Sequence, residues 1–479
     1  MRICIVAEGS YPYVTGGVSS WIQTLITNMP EHEFIIFAIG AQEKMRGKFK
    51  YKLPDNLIEV REVFLDSYIS EIGEPGKEFR LDEDQKRVIK SLLNRDQTDW
   101  NLLFSLFRSR KMSSISNFIM SRDLFDIIHE LCLERYSQIP FTELFWSVRS
   151  MLLPLFWLLK NPVPEADLYH SVSTGYAGMV AAYGKYLYKR PYLLTEHGIY
   201  TREREEEIIK SDWIKGYFKD LWIQYFYSLS HCAYSNTNQV ISLFNKNKEI
   251  QAEIGCREDK ITIIPNGVNP EDFSNLPQKG AEEAAYVNVG AVVRVVPIKD
   301  IKTMIQSFSI VKKTVSQARF YIFGPYEEDP EYYEECLQLL ESLGAEDIYF
   351  TGSVNIKEYI GRMDILVLSS ISEGQPLALL EGMACGKPFV STDVGSCKEL
   401  LYGVNDGIGS AGIIVPVMHY VEMAEAIIRL AENPNLCYEM GANGLERVKQ
   451  IYTREKFIQQ YKQIYESMRS LQWQELVSS

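Results

Sequence analysis

Ile3-Cys4-Ile5-Val6-Ala7 opens the chain as a short apolar run, Ser19 to Asn28 follows with helical spacing, and Phe34-Ile35-Ile36-Phe37-Ala38-Ile39 is apolar again. Strand, helix and strand in that order make a βαβ unit, whose two strands pair in parallel. Reading outward, Ala41 to about Asp99 is polar and charged, and a helix-rich stretch runs on to Leu159. We expect a helical insertion over about 41–159. The alternation then resumes with Leu168-Tyr169-His170, Tyr192 to Thr195, a long helix around Ser211 to Leu229, and strands at His231 to Ser235 and Ile261 to Ile264. Pro265-Asn266-Gly267 is turn chemistry, and 274–284 is a polar stretch with Pro277 and Gly280. These boundaries predict a first doubly wound domain over 1–273 and a linker over 274–284.

A second alternating series follows, with strands at Tyr286 to Val289, Arg319 to Phe323, Ile348 to Thr351, Ile365 to Leu368, Phe389 to Thr392 and Gly412 to Val415. Helices separate them, so 285–453 is a doubly wound sheet by itself. The last stretch, 454–479, has a helical pattern and is expected to pack back on the first domain. The fold class is therefore α/β with two Rossmann-like parallel-sheet domains.

Composition agrees with compact cores: 46% of the 479 residues are apolar and 12% aromatic. The formal charge of -13 repels nucleic acid and anionic lipid, so a phosphate ligand needs a local cluster of donors. Eight scattered cysteines without a C-x-x-C exclude a zinc ribbon, a redox motif or a disulfide framework. Free thiols, and an initial apolar run too short for a signal-peptide core, suit a cytoplasmic protein. The segment Phe141 to Leu159, with Trp146 and Trp157, has two readings: a core helix, or a surface that docks a membrane-bound partner.

Chemistry concentrates after strands. Glu373-Gly374-Gln375-Pro376-Leu377-Ala378-Leu379-Leu380-Glu381 follows Ile365 to Leu368. Gly374 permits close backbone approach, Pro376 suits a first helical turn, and the free N–H groups from Leu377 on can receive a phosphate. Glu373 and Glu381 are acceptors for sugar hydroxyls, although the same spacing also fits a loop charge and an ordinary helix acid. Arg294 and Lys299, after the first strand of the second domain, suit a diphosphate or are simply solvated. Gly16 and Gly17, after the first strand of the chain, offer exposed amides or merely a turn. In Thr195-Glu196-His197-Gly198 the imidazole is either a hydrogen-bonding group for a sugar or a structural residue.

Together these segments resemble the retaining GT-B glycosyltransferases of family 4, over nearly the whole chain. The specific parts are Glu373 and Glu381 at their spacing, Arg294 with Lys299, and the loop at Gly16 and Gly17. Ala7 to Trp21, Thr195 to Tyr200 and Arg294 to Thr303 are similar to the PelF branch of exopolysaccharide synthesis. Val293 stands where the family more usually has glycine. The resemblance implies two domains facing each other across a cleft, and transfer of a hexose from a UDP-sugar to a growing glycan. UDP-glucose is the first expectation and a UDP-N-acetylhexosamine the second. Arg294 and Lys299 would hold the diphosphate, Glu381 the ribose, Glu373 and His197 the sugar, and Gly16 and Gly17 the phosphate side. Gly374, Gln375, Pro376 and Leu377 would complete the nucleotide-sugar site.

No Asp-x-Asp triplet stands at a strand end and no His-Cys cluster offers a metal site, so neither cofactor nor metal is expected. A nucleotide-sugar epimerase and a non-catalytic subunit docked to a membrane polysaccharide synthase, peripheral to the inner face of the membrane, are the competing readings.

Overall fold

The computed structural model describes every residue except 71–78, 95–96, 110–111, 113 and 479. Those parts of the expected insertion and C-terminal segment lie outside the described residues. The chain forms two compact units. The first holds Met1–Ser242, Asn247–Ile263 and the residues from Tyr461; the second holds Leu243–Lys246 and Ile264–Gln460.

The first unit is built on a seven-stranded sheet with β1 (Arg2–Glu8), β2 (Glu33–Gly40), β3 (Leu57–Phe64), β4 (Leu168–Ser171), β5 (Tyr192–Glu196), β6 (Gln239–Ser242) and β7 (Ile261–Ile263) in the order β3-β2-β1-β4-β5-β6-β7. All six pairings are parallel. The central strands carry helices on both faces, which is why they are almost wholly apolar: Ile3, Ile5, Val6, Phe34 and Ile36 have no exposed surface.

Two elements differ from the sequence reading. The expected insertion contains the edge strand β3, whose Glu59, Arg61 and Glu62 make its composition look like a surface loop. An edge strand pairs on one side only and tolerates such charges, here with Arg61 and Glu59 ion-paired at 2.6 Å. The run His231 to Ser235 is not a strand but the end of the helix Gly216–Asn236; the strand is Gln239–Ser242. Cys232, Ala233 and Tyr234 face the core from that helix, and a short buried apolar run has no period that separates the two structures.

Between β3 and β4 lie the helices Glu83–Ser91, Trp100–Arg108, Ile115–Ile119, Arg122–Arg135 and Phe141–Lys160. In the last of these Leu152, Leu155 and Phe156 are fully buried. Its Trp157 donates Nε1–H to Phe64 O at 2.9 Å, tying the helix to β3. Trp146 stands exposed under the Arg149 guanidinium, 4.8 Å from the ring centroid. Among the described residues no helix is long and apolar enough to cross a membrane.

The second unit has a six-stranded sheet of β8 (Val287–Val292), β9 (Ala318–Phe323), β10 (Ile348–Gly352), β11 (Ile365–Leu368), β12 (Phe389–Thr392) and β13 (Gly412–Val415) in the order β10-β9-β8-β11-β12-β13. It too is parallel throughout. Both doubly wound sheets read from the alternation are thus present. In each, the winding reverses between adjacent strands, β1 and β4 in one and β8 and β11 in the other, and ligands of such sheets bind outside the carboxyl ends at that reversal.

The second unit is closed by a buried charge. Arg447 has no exposed surface, pairs with Asp406 through Nε at 2.6 Å and Nη2 at 3.2 Å, and donates to the carbonyls of Leu400 and Leu401. Removing one partner of such a pair strands the other. Asp406→Ala is expected to destabilise this unit by about 3 kcal/mol or more. The thermal midpoint in calorimetry should fall by several degrees, and an unchanged midpoint would show that the pair carries no stability.

Candidate functional site

In the second unit the reversal point is pinned by two serines at the end of β11. Ser369 Oγ lies 2.8 Å from Lys299 O and 2.9 Å from Asp300 O, and Ile371 N–H donates to Ile298 O at 2.9 Å. These contacts fix the 3-10 turn Pro297–Lys299 that follows β8. Asp300, left-handed at φ 48°, then caps the helix Ile301–Thr314 by accepting from Thr303 N–H at 3.3 Å.

Lys299 is the last residue of that turn. Its ammonium donates to Glu373 Oε1, and the same oxygen accepts from Ser370 Oγ at 2.6 Å. The Lys299 and Glu373 side chains are 18% and 12% exposed, so both charges sit largely out of water, where attraction is less screened than at a surface. Sequence spacing singled out both residues, and the structure brings them into contact.

The segment after Glu373 is held through Gln375, which the sequence singled out, and through Asn266, Ser396 and Gly395, which it did not single out as site residues. Gln375 is buried, and its Oε1 accepts from Asn266 N–H at 2.6 Å. Gly374 O accepts from Ser396 N–H at 3.0 Å. The loop after β12 approaches so closely that a Cβ on Gly395, at φ +51°, would stand 2.2 Å from Gly374 O and 2.4 Å from Glu373 O. Only glycine satisfies both that angle and that distance. Pro376 precedes the helix Leu377–Ala384 and gives it no side-chain cap; Leu379 N–H donates to Pro376 O at 3.2 Å, which leaves the Leu377 and Ala378 amides without a capping side chain.

Arg294 and Glu381 do not join the pair. Arg294 is half exposed and bonds Glu328 Oε1 at 2.5 Å. Glu381 is half buried, and loss of water raises its carboxyl above the usual range against the pull of Lys357 and Arg454. The backbone beside Arg294 is approached closely by Gly324, at φ +149°, where a Cβ would meet Val293 O at 2.0 Å.

In the first unit, Gly16 precedes the helix Gly17–Thr27, and Cβ atoms on Gly16 or Gly17 would meet nothing within 4 Å. Neither glycine is required by protein packing; both adjoin open space. His197 follows β5 with its Nε2 buried and unpartnered. Burial lowers its pKa to about 4, so the ring is neutral at pH 7. Its ring stands edge-on to Trp21, 4.7 Å away, which joins it to the helix the glycines begin. The preceding Glu196 is 1% exposed and accepts from Tyr234 Oη at 2.6 Å and Gln251 Nε2 at 2.9 Å, with burial raising its pKa to about 7. Glu8, at the end of β1, accepts from the amides of Tyr176 at 3.0 Å and Ala177 at 3.3 Å and from Tyr200 Oη at 3.1 Å.

Ser369, Ser370 and Gly395 carry no motif of their own, and Asn266 and Trp21 stand out in the sequence only as members of a turn and of the Ala7 to Trp21 segment. Two adjacent serines at a strand end are the one signal that could have marked this support, since buried hydroxyls there must find a partner. Among the described residues no group of three or more His, Cys, Asp or Glu could hold a metal ion.

The chain has relatives in sequence and in fold. HepE of Anabaena, solved with UDP and glucose, superposes with a TM-score of 0.60 over 98% of this chain and 100% of its own, at 15% identity. The N,N'-diacetylbacillosaminyl-diphospho-undecaprenol alpha-1,3-N-acetylgalactosaminyltransferase of Campylobacter jejuni is 25% identical over 250 residues, 50% of this chain and 63% of that protein. The N-acetyl-alpha-D-glucosaminyl L-malate synthase of Bacillus anthracis is 27% identical over 236 residues, 49% of this chain and 58% of that protein. The chain thus spans about six tenths of the length of these two curated relatives. The model for "Glycosyl transferases group 1" matches residues 285–433, within the unit that holds Lys299 and Glu373. The model described as "Domain of unknown function (DUF3492)" matches residues 1–259, more than half of the sequence, and the chain belongs to that family.

Proposed function

We propose that the protein is a retaining glycosyltransferase that moves a hexose, glucose first and an N-acetylhexosamine second, from a UDP-sugar to a growing exopolysaccharide, in the manner of the PelF branch. The observation that carries this reading is the Lys299–Glu373 contact at the carboxyl ends of β8 and β11, beside the uncapped helix start at Leu377. A cation, a hydroxyl-binding carboxylate and free amides in one place are what a sugar diphosphate needs.

In this reading the donor's diphosphate takes over Lys299 as its cation, and Arg294 leaves Glu328 to join it. Glu373, released from Lys299 but still held by Ser370, accepts from hydroxyls of the transferred sugar. Glu381 receives the ribose. His197, neutral and with a free Nε2, meets the sugar, and Gly16 and Gly17 bring amides to the phosphate side. The acceptor hydroxyl forms the new glycosidic bond on the face from which the diphosphate departs. The bond from the anomeric carbon to the diphosphate breaks, and the proton passes to the leaving phosphate oxygen. Fixed cations aimed at that charge commonly supply a few kcal/mol of barrier lowering, each ~1.4 kcal/mol being tenfold.

Lys299→Ala and Arg294→Ala are each expected to cut turnover by about 10² or more while circular dichroism stays unchanged. Near-normal transfer by either folded variant would remove that residue from the diphosphate clamp. UDP-sugars incubated without acceptor should yield no epimer, and an epimer would favour isomerase chemistry instead.

Gly395→Ala tests the support of the donor loop separately. A Cβ there strikes the backbone of Glu373 and Gly374, and the displacement of reacting groups by about 1 Å costs on the order of 10² in rate. Isothermal titration with UDP and UDP-glucose should show at least a tenfold weaker complex, on the order of 1.4 kcal/mol. Unaltered affinity would dissociate this loop from the ligand.

A further inference from the structure

Two segments of the first unit meet at one side chain. The Trp21 indole stands edge-on to His197, with centroids 4.7 Å apart and planes at 81°, and edge-on to Tyr461, at 5.4 Å and 76°. Trp21 lies on the helix begun by Gly17, and Tyr461 lies on the C-terminal helix Arg454–Ser478. Tyr461 is anchored at its other end, with its hydroxyl 3.0 Å from Thr195 Oγ1 on β5. Thr195 Oγ1 in turn lies 2.8 Å from His170 Nε2, and His170 Nδ1 lies 2.9 Å from the Tyr465 hydroxyl.

All four members of this chain of hydrogen bonds are fully buried. None can exchange its partner for water, and the Tyr461 ring itself is held by packing, edge-on to Trp21 and stacked on His170 at 6.1 Å. His170 is kept neutral by burial, its pKa lowered to about 3, which lets one ring nitrogen donate and the other accept. Trp21 is thereby packed between the buried Tyr461 ring and the His197 ring, with His170 edge-on to it at 5.8 Å. His197 has no hydrogen bond at Nε2 to set its orientation, so the aromatic edge contact is a restraint on where that nitrogen points.

We propose that Tyr461 is a positioning residue for His197, acting through Trp21, so that the C-terminal helix is part of the sugar-facing site and not only a strap on the fold. The inference rests on the reading above for what His197 touches, but the geometry it predicts can be observed without turnover. The full chain labelled with ¹³C-histidine gives six imidazole signals, one per histidine, and His197 is identified by the signal that His197→Gln removes. Trp21→Leu supplies the position of that signal without the indole.

Tyr461→Ala is expected to move the His197 signal at least about halfway to its Trp21→Leu position, because the wall behind the indole is gone while the indole remains. Tyr461→Phe keeps the ring and should keep the signal near its original place. Tyr465→Phe removes a hydroxyl from the same helix without touching Trp21 and should leave His197 unmoved. Should Tyr461→Ala not fold, Tyr461→Leu is read the same way. A His197 signal unmoved in the folded variant, or moved as far by Tyr465→Phe, overturns the proposal.

UDP release from UDP-glucose then links geometry to function. In Tyr461→Ala kcat should fall about tenfold with KM for UDP-glucose little changed, and Tyr461→Phe should restore it. Unchanged kcat with a displaced His197 overturns the functional part. If the unaltered protein turns over no UDP-sugar while the signals move as expected, the transferase reading fails and the positioning stands.

Discussion

Parallel pairing governs everything else in this molecule. Every strand pair in both sheets is parallel, and a parallel neighbour can be reached only by carrying the chain back across a face of the sheet. Each strand therefore ends on one edge of its sheet, and the next helix starts there. Chemistry follows from that geometry. β1 and β5 deliver Glu8, the glycine loop and His197 to one edge of the first unit, while β8, β11 and β12 deliver Lys299, Glu373 and Gly395 to one edge of the second. None of these residues is near its partners in sequence, and no rearrangement of side chains alone could assemble them.

The same rule explains what could be read without coordinates. Buried parallel strands are uniform apolar runs flanked by helical patterns, so β1, β2, β8, β9 and β11 are visible in composition. β3 is not, because as an edge strand it is released from the demand for apolar residues on both faces and carries Glu59, Arg61 and Glu62. Lys299 and Glu373 could be named because charge after a strand is conspicuous; that they touch each other, and that Arg294 turns instead to Glu328, depends on loop geometry. Gly395 and Ser369 were out of reach for a different reason. Their role is to hold backbone against backbone, and such contacts leave no periodicity or charge in the sequence. Tyr461 adds distance to that difficulty, since it meets Thr195 only through the return of the chain's last helix to the first unit.

Charge has to be weighed locally. A net charge of -13 describes the field far from the surface, where salt screens it beyond about 8 Å. At Lys299 the relevant quantities are the 18% exposure of its side chain and the carboxylate it faces. Burial has the opposite consequence at His197 and His170, which it holds neutral, and at Glu196, whose pKa it raises to about 7. Removal of water thus suppresses charge around the aromatic cluster of the first unit, whereas in the second unit Lys299 and Glu373 offset their burial by facing each other.

The pairing of Lys299 with Glu373 also bears on selectivity under the proposed function. Separating a largely buried ion pair costs more than either charge regains from a partial substitute, because the partner left behind is stranded in a poor solvent. An isolated phosphate could satisfy Lys299 but would offer Glu373 no donor and would place a second negative charge beside it. A free sugar could satisfy Glu373 and Ser370 but would leave the ammonium with a weaker acceptor. A sugar diphosphate carries an anion at one end and hydroxyl donors at the other, so it can open the pair and leave neither member unpaired. The ion pair would then act as a threshold that rejects fragments of the donor, and its strength would be part of how the intact donor is recognised.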